Sequence, residues 1–128
     1  MQKSVDLPLI TVAMVVLNRE WIIERSVNSI LSQSYPHDKI HFILVDGMSK
    51  DKTVEKAERL LSSSDLYGYD IVVKYCNIPE SRNICIDRMK GEYLFFWDSD
   101  VIMRSEYLEA FLQTLILHDA DIVRGLTE

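Results

Sequence analysis

Residues 92–100 read Glu92-Tyr93-Leu94-Phe95-Phe96-Trp97-Asp98-Ser99-Asp100, an apolar run that ends in two carboxylates spaced i, i+2. Apolar side chains on both alternating faces point to a strand buried within a sheet, rather than one with a wet side. Its acidic tip then stands where the sheet meets solvent, and in an extended chain the spacing sends Asp98 and Asp100 to the same side. Two hard oxygen ligands side by side suit Mg2+ or Mn2+, which complete their coordination with phosphate oxygens and water. The spacing alone is a weak signal. Asp119-Ala120-Asp121 repeats it between a helical segment and a short apolar run, where acidic residues are ordinary turn formers.

The rest of the chain alternates strand and helix. Residues 9–17, rich in Val, Ile and Thr, read as a first buried strand. Asn18 offers an N-cap for a helix to about Gln33, with Ile23, Val27, Ile30 and Leu31 on one face. Residues 40–45 form the second strand, and Ser49 or Asp51 caps a second helix whose inner face is Val54, Ala57, Leu60 and Leu61. Residues 71–76 give the third strand. Asn77-Ile78-Pro79-Glu80 then has the form of a capping box, opening a helix to about Met89 that buries Ile84, Cys85 and Ile86 or Met89 and stops at Gly91. After the strand at 92–97, Leu108, Phe111, Leu112 and Leu115 mark a fourth helix behind a Ser105 cap, and residues 121–124 suit a short fifth strand. Such βα units in series imply a single α/β domain: a mostly parallel, Rossmann-like sheet with helices on both faces.

Composition fits this reading. The 128 residues are 48% hydrophobic and 27% charged. A net charge of −6 with no basic stripe argues against nucleic-acid binding, but an acidic site still holds a diphosphate when a divalent cation lies between them. Cys76 and Cys85 lack metal or redox spacing and read as buried free thiols in a reducing, cytoplasmic compartment. His37, His41 and His118 are scattered and read as surface or turn residues. No apolar run is long enough to span a bilayer.

Ligands of parallel sheets bind at the carboxyl ends of the strands. Those ends carry Asn18 and Glu20, then Asp46, then Asn77 with Arg82 one turn into its helix, then Asp98 and Asp100. Arg82 opposes the dipole of its helix, so either a bound anion or pairing with Glu80 or Asp87 accounts for it. Trp97 and the two Phe beside it read as core, and Tyr35 and Trp21 as packing residues.

Ser29-Ile30-Leu31-Ser32-Gln33-Ser34-Tyr35-Pro36, then Val45-Asp46-Gly47 and Ser49-Lys50-Asp51-Lys52-Thr53, resembles the glycosyltransferase family 2 pattern SLLxQxYP…VDDGSxDxT. Asn77…Ser81-Arg82-Asn83 with residues 90–100 is similar to its N…ARN…GEYLxFLDxD. The resemblance implies a GT-A fold, a nucleotide-diphospho-sugar donor of the UDP or GDP type, and Mg2+ or Mn2+. On this resemblance Asp46 meets the nucleobase, backbone at Val15, Leu17 and Asn18 borders it, and Arg82 lies beside the nucleotide. Asp98, Ser99 and Asp100 handle ribose, metal and diphosphate, with Asp98 and Asp100 as metal ligands. Three positions depart from the pattern: Leu17 replaces its aromatic residue, Gly47 its second Asp, and Met48 its Gly.

Family 2 catalytic domains continue well beyond this acidic motif, so the resemblance covers the donor-binding portion and no residue matches the catalytic base. Glu106, Asp119 and Asp121 are carboxylates without a matching motif. The alternative is a non-catalytic nucleotide-binding or assembly module on the same fold, including a homodimer through an exposed sheet edge. A nucleotidyltransferase would need a Gly-rich loop where Leu17-Asn18-Arg19-Glu20 stands, and a receiver-like module would need paired acids there.

Overall fold

β1 (Ile10–Val16) and β2 (Ile40–Asp46) occupy the centre of the sheet, as their β-branched and apolar sequences require. β3 (Gly68–Val73) flanks β2, and β4 (Tyr93–Phe96) flanks β1. The order is therefore β3-β2-β1-β4, with every pairing parallel, in a computed structural model that describes residues 7–119 and 121.

α1 (Ile23–Leu31), α2 (Thr53–Ser62) and α4 (Tyr107–Leu117) contribute Val27, Ile30, Ala57, Leu61, Leu108 and Leu112 to one core with Val12, Met14, Phe42 and Leu44. α3 (Ile78–Arg88) serves the opposite face, where Cys85 meets Ala13, Ile43 and Val45. Helices thus lie on both faces, as the alternation predicts. The chain runs β1 to β3 in one direction and then crosses back to β4. This reversal puts the topological switch point at the carboxyl ends of β1 and β4, the place where open α/β sheets bind ligands.

Several boundaries differ from the sequence reading for local reasons. Asn18 is not the cap of α1: it has φ 52°, and the helix starts only at Ile23, behind an Arg19–Ile22 turn. The third strand starts at Gly68, three residues early, because β2 templates it in the register His41↔Gly68; Tyr75 is left 87% exposed beyond the sheet. The capping box on α3 is formed, with Asn77 and Glu80 exchanging bonds of 2.8 Å each; Cys85 is buried as expected with Ile84 and Met89 partly so, while Ile86 faces solvent and Ser81 is buried in addition. Ser105 makes no cap; the amide of Leu108 is satisfied by Gln33.

Gly91 has a packing role. A Cβ there would stand 2.5 Å from the Ile10 carbonyl carbon, so only glycine lets the chain lie flush on β1. His41, read as a surface residue, is buried in β2 between Thr11 and Asp70, because a central strand has no wet face at that level. Trp21, read as packing, is exposed. The short strand expected at 121–124 lies, apart from Asp121, outside the described residues.

Candidate functional site

The loops after β1 and β2 are fastened to each other. Asp46 ends β2, buried, and its carboxylate accepts from the amides of Met48 (3.1 Å) and Ser49 (2.8 Å) and from the Ser49 hydroxyl (2.5 Å). That hydroxyl in turn accepts from the Asn18 amide at 2.7 Å, while the Asn18 side chain accepts from the Lys50 amide at 2.8 Å. Asn18 therefore bridges loops rather than starting a helix. Its φ of 52° and the φ of 76° at Met48 are the backbone cost of the clamp, since side-chain-bearing residues disfavour the left-handed region.

Asp51 and Thr53 extend the same junction. Asp51 accepts from the amides of Thr53 (3.0 Å) and Glu20 (3.2 Å), and the Thr53 hydroxyl accepts from the Arg19 amide at 2.8 Å. The Thr53 hydroxyl, followed by these amides, holds the Asp51 carboxyl below its ordinary range. The Glu20 side chain is turned to α2, 3.8 Å from Lys56 Nζ. Leu17 is 49% exposed at the lip, with its Cδ1 over Gly47, and Val15 lies half-buried on the α3 side of the sheet.

Arg19 escaped notice in the sequence, since no motif position marks it. Its Nη1 donates to the carbonyls of Leu17 (3.2 Å) and Asn18 (3.4 Å). Its Nε is the one buried side-chain nitrogen or oxygen without a partner among the described residues.

Beside β4, Arg82 is exposed on the first turns of α3, its guanidinium carbon 5.2 Å from the centroid of Phe96. Phe96 is consequently a half-open platform rather than core, while Phe95 and Trp97 are buried as expected. Neither Glu80 nor Asp87 pairs with Arg82. Glu80 is committed to the capping box, and no ion pair among the described residues involves this arginine. Its cation–π contact leaves guanidinium N–H groups available for an anion.

β4 stops pairing just before the acidic motif, with a last bond from Trp97 N to the Ala13 carbonyl at 2.9 Å. The chain then turns, closed by Val101 N to the Asp98 carbonyl at 3.2 Å, instead of running on extended. Asp98 and Asp100 remain on the solvent side and Ser99 on the inside. The Trp97 indole donates to the Val101 carbonyl at 3.0 Å, bracing the turn from below. Burial, then the nearby Asp98 charge, raises the Tyr107 phenol.

Among the described residues no group of three or more His, Cys, Asp and Glu side chains is placed to hold a metal. Two exposed carboxylates fit a hard cation that takes its remaining ligands from phosphate and water. The Asp119-Ala120-Asp121 repeat follows α4, with Asp119 in a left-handed turn at φ 48°. Glu106 sits 3.2 Å from Arg104 at the surface.

The model of the family described as glycosyl transferase family 2 matches residues 11–127. A glycosyltransferase of Haloferax volcanii, AglE, is 30% identical over 122 residues, covering 95% of this chain and 40% of that protein. The poly(ribitol-phosphate) beta-N-acetylglucosaminyltransferase TarS of Staphylococcus aureus is 24% identical over 106 residues, 83% of this chain and 18% of TarS. In structure, a mannosyltransferase of Pyrobaculum calidifontis in complex with GDP-Man and Mn2+ superimposes with a TM-score of 0.78 at 23% identity, covering 84% of this chain and 32% of that one. The 1–349 portion of TarS in complex with UDP gives 0.77 at 22% identity, over 93% of this chain and 38% of that portion. The fold is thus that of the GT-A glycosyltransferases, and this chain spans less than half the length of each of these relatives.

Proposed function

The chain belongs to glycosyl transferase family 2, and from that premise we propose that it forms the donor-binding part of a glycosyltransferase that takes a UDP- or GDP-type sugar with Mg2+ or Mn2+. The observation that carries this reading is the convergence of the clamped β1 and β2 loops, Arg82 and the acidic turn at one edge of the sheet. Leu17 and the backbone from Val15 to Asn18 would border the base. Asp46 would shape that border, its carboxylate already accepting three bonds within its own loop.

Asp98 and Asp100 would hold the cation, with Ser99 turned inward between them. A divalent cation held by these carboxylates would supply charge neutralisation for the diphosphate leaving group. Arg82, fixed above Phe96, adds a second positive charge on the α3 side.

Calorimetric titration with UDP and GDP, with and without Mn2+, tests the reading. Metal-dependent binding that disappears in Asp100→Ala supports it; no metal-dependent heat at millimolar nucleotide overturns it. The second reading, a non-catalytic nucleotide-binding or assembly module, draws on β4 lying at an open edge of the sheet among the described residues. Sugar transfer that depends on Asp100 would exclude it.

A further inference from the structure

We propose that Ser26 is a positioning residue for the acidic turn: its hydroxyl fixes the carbonyl of Ser99 and so sets the directions of Asp98 and Asp100. The inference rests on the donor and metal reading given above. Ser26, Ser29 and Gln33 recur at i, i+3 and i+7 along α1 and its end, which places them on one face. That face is buried, at 0%, 7% and 3% exposure, yet polar. Buried hydroxyls and amides persist where they are hydrogen-bonded, and the row finds its long-range partners in the main chain of residues 99–108. Ser26 Oγ donates to the Ser99 carbonyl at 2.5 Å. Ser29 Oγ donates to the Met103 carbonyl at 3.1 Å and accepts from its amide at 2.8 Å. Gln33 donates to the Arg104 carbonyl at 2.7 Å and accepts from the Leu108 amide at 2.9 Å.

The order of these anchors matters. Sheet pairing ends at Trp97, so Ser26 makes the first contact of the row with the chain beyond the sheet, and it grips the residue between the two carboxylates. Without that hydroxyl the 99–100 peptide loses the partner of its buried carbonyl and is freer to rotate. Asp100 turns with it. Ser29 and Gln33 act farther along, on the segment leading into α4.

The experiment measures the affinity of UDP and of GDP with and without Mn2+, and takes the ratio as the metal-dependent gain. Ser26→Ala and Ser29→Ala each delete one buried hydroxyl of the same row, but only Ser26 touches the acidic turn. Ser26→Ala is expected to cut the gain about tenfold, because an acidic turn no longer held in place must be ordered at the moment of binding, with metal-free affinity unchanged. Ser29→Ala is expected to keep the gain. An unchanged gain in Ser26→Ala, or an equal loss in Ser29→Ala, would overturn the assignment. Should Ser26→Ala not fold, Ser26→Cys, slightly larger and a weaker donor, must show the same ordering. A wild-type protein with no metal-dependent gain would overturn the donor reading itself and this role with it, a result distinct from equal gains in wild type and variant.

Discussion

Thr11 and His41 face each other across β1 and β2, and the direction of the hydrogen bond between them is decided by their other partners. Thr11 Oγ1 accepts from the amides of Lys90 (3.1 Å) and Gly91 (2.9 Å), which uses both lone pairs. Its single proton therefore goes to His41 Nδ1 at 3.2 Å, and His41 Nε2–H donates to Asp70 at 3.1 Å. The imidazole is neutral, so its contact with Asp70 is a hydrogen bond rather than an ion pair. The chain of bonds ties the turn entering β4 to the middle of the sheet.

Stability should fall as this imidazole is forced to charge. Burial holds His41 below its ordinary value of 6.5 and Lys90 pushes the same way; together they outweigh Asp70. As pH drops below 6.5 the unfolded chain takes up a proton before the folded one does, so this contribution is full above 6.5 and declines below it. Denaturation midpoints in mildly acid buffer should show the decline in wild type and not in His41→Gln. Nitrogen chemical shifts should report the Nε2–H tautomer; a His41 titrating at or above its ordinary value would contradict the argument.

Two glycines should respond very differently to alanine. At Gly91 the added methyl meets the Ile10 main chain at 2.5–2.6 Å, and backbone has nowhere to move, so Gly91→Ala should cost about 3 kcal/mol. At Gly47 the nearest atoms are 3.8–4.0 Å away, and Gly47→Ala should change stability by less than about 0.5 kcal/mol. Urea midpoints of the two variants decide this.

Met48 carries strain that glycine would release. Its φ of 76° costs a side-chain-bearing residue about 1–2 kcal/mol, partly offset by the extra freedom glycine has when unfolded. Met48→Gly should raise stability by about 0.5–1 kcal/mol. A lower thermal midpoint in Met48→Gly would show that the methionine side chain contributes more than its backbone costs.

Arg82 should separate binding from folding. Its visible contact is an exposed cation–π pair with Phe96, worth about 0.5–1 kcal/mol. Arg82→Ala should therefore hardly move the melting temperature, while weakening UDP or GDP affinity about tenfold through loss of a charged hydrogen bond. Equal nucleotide affinity in the variant would remove Arg82 from the site.

Thiol labelling should see one cysteine in the native protein. Burial pushes Cys85 up to about 11 and shuts it away on the α3 face, whereas Cys76 is half-buried near the start of that helix. Native protein should take one equivalent of a maleimide reagent at neutral pH and denatured protein two.

The parallel architecture and the acidic strand tip were legible because each is written locally, as alternating apolar runs that end in Asp46 and Asp98. The capping box at Asn77 and Glu80 was legible for the same reason: its partners are three residues apart. The core histidine was not, since nothing near His41 in the chain indicates that Thr11 and Asp70 will flank it. Gly91 reads in sequence as a helix stop; its contact with Ile10 comes from a strand some eighty residues away.

The sequence by itself determined the βα order, the approximate strands and the polar residues at their ends, because periodicity and turn chemistry act over a few residues. Tertiary structure decided that Asn18 and Ser49 clamp two loops, that Arg82 rests on Phe96, and that the serine and glutamine row of α1 holds the chain from Ser99 to Leu108. Those contacts join residues between 14 and 75 positions apart. Unlike a helix cap, they come into reach only after the sheet has set its register.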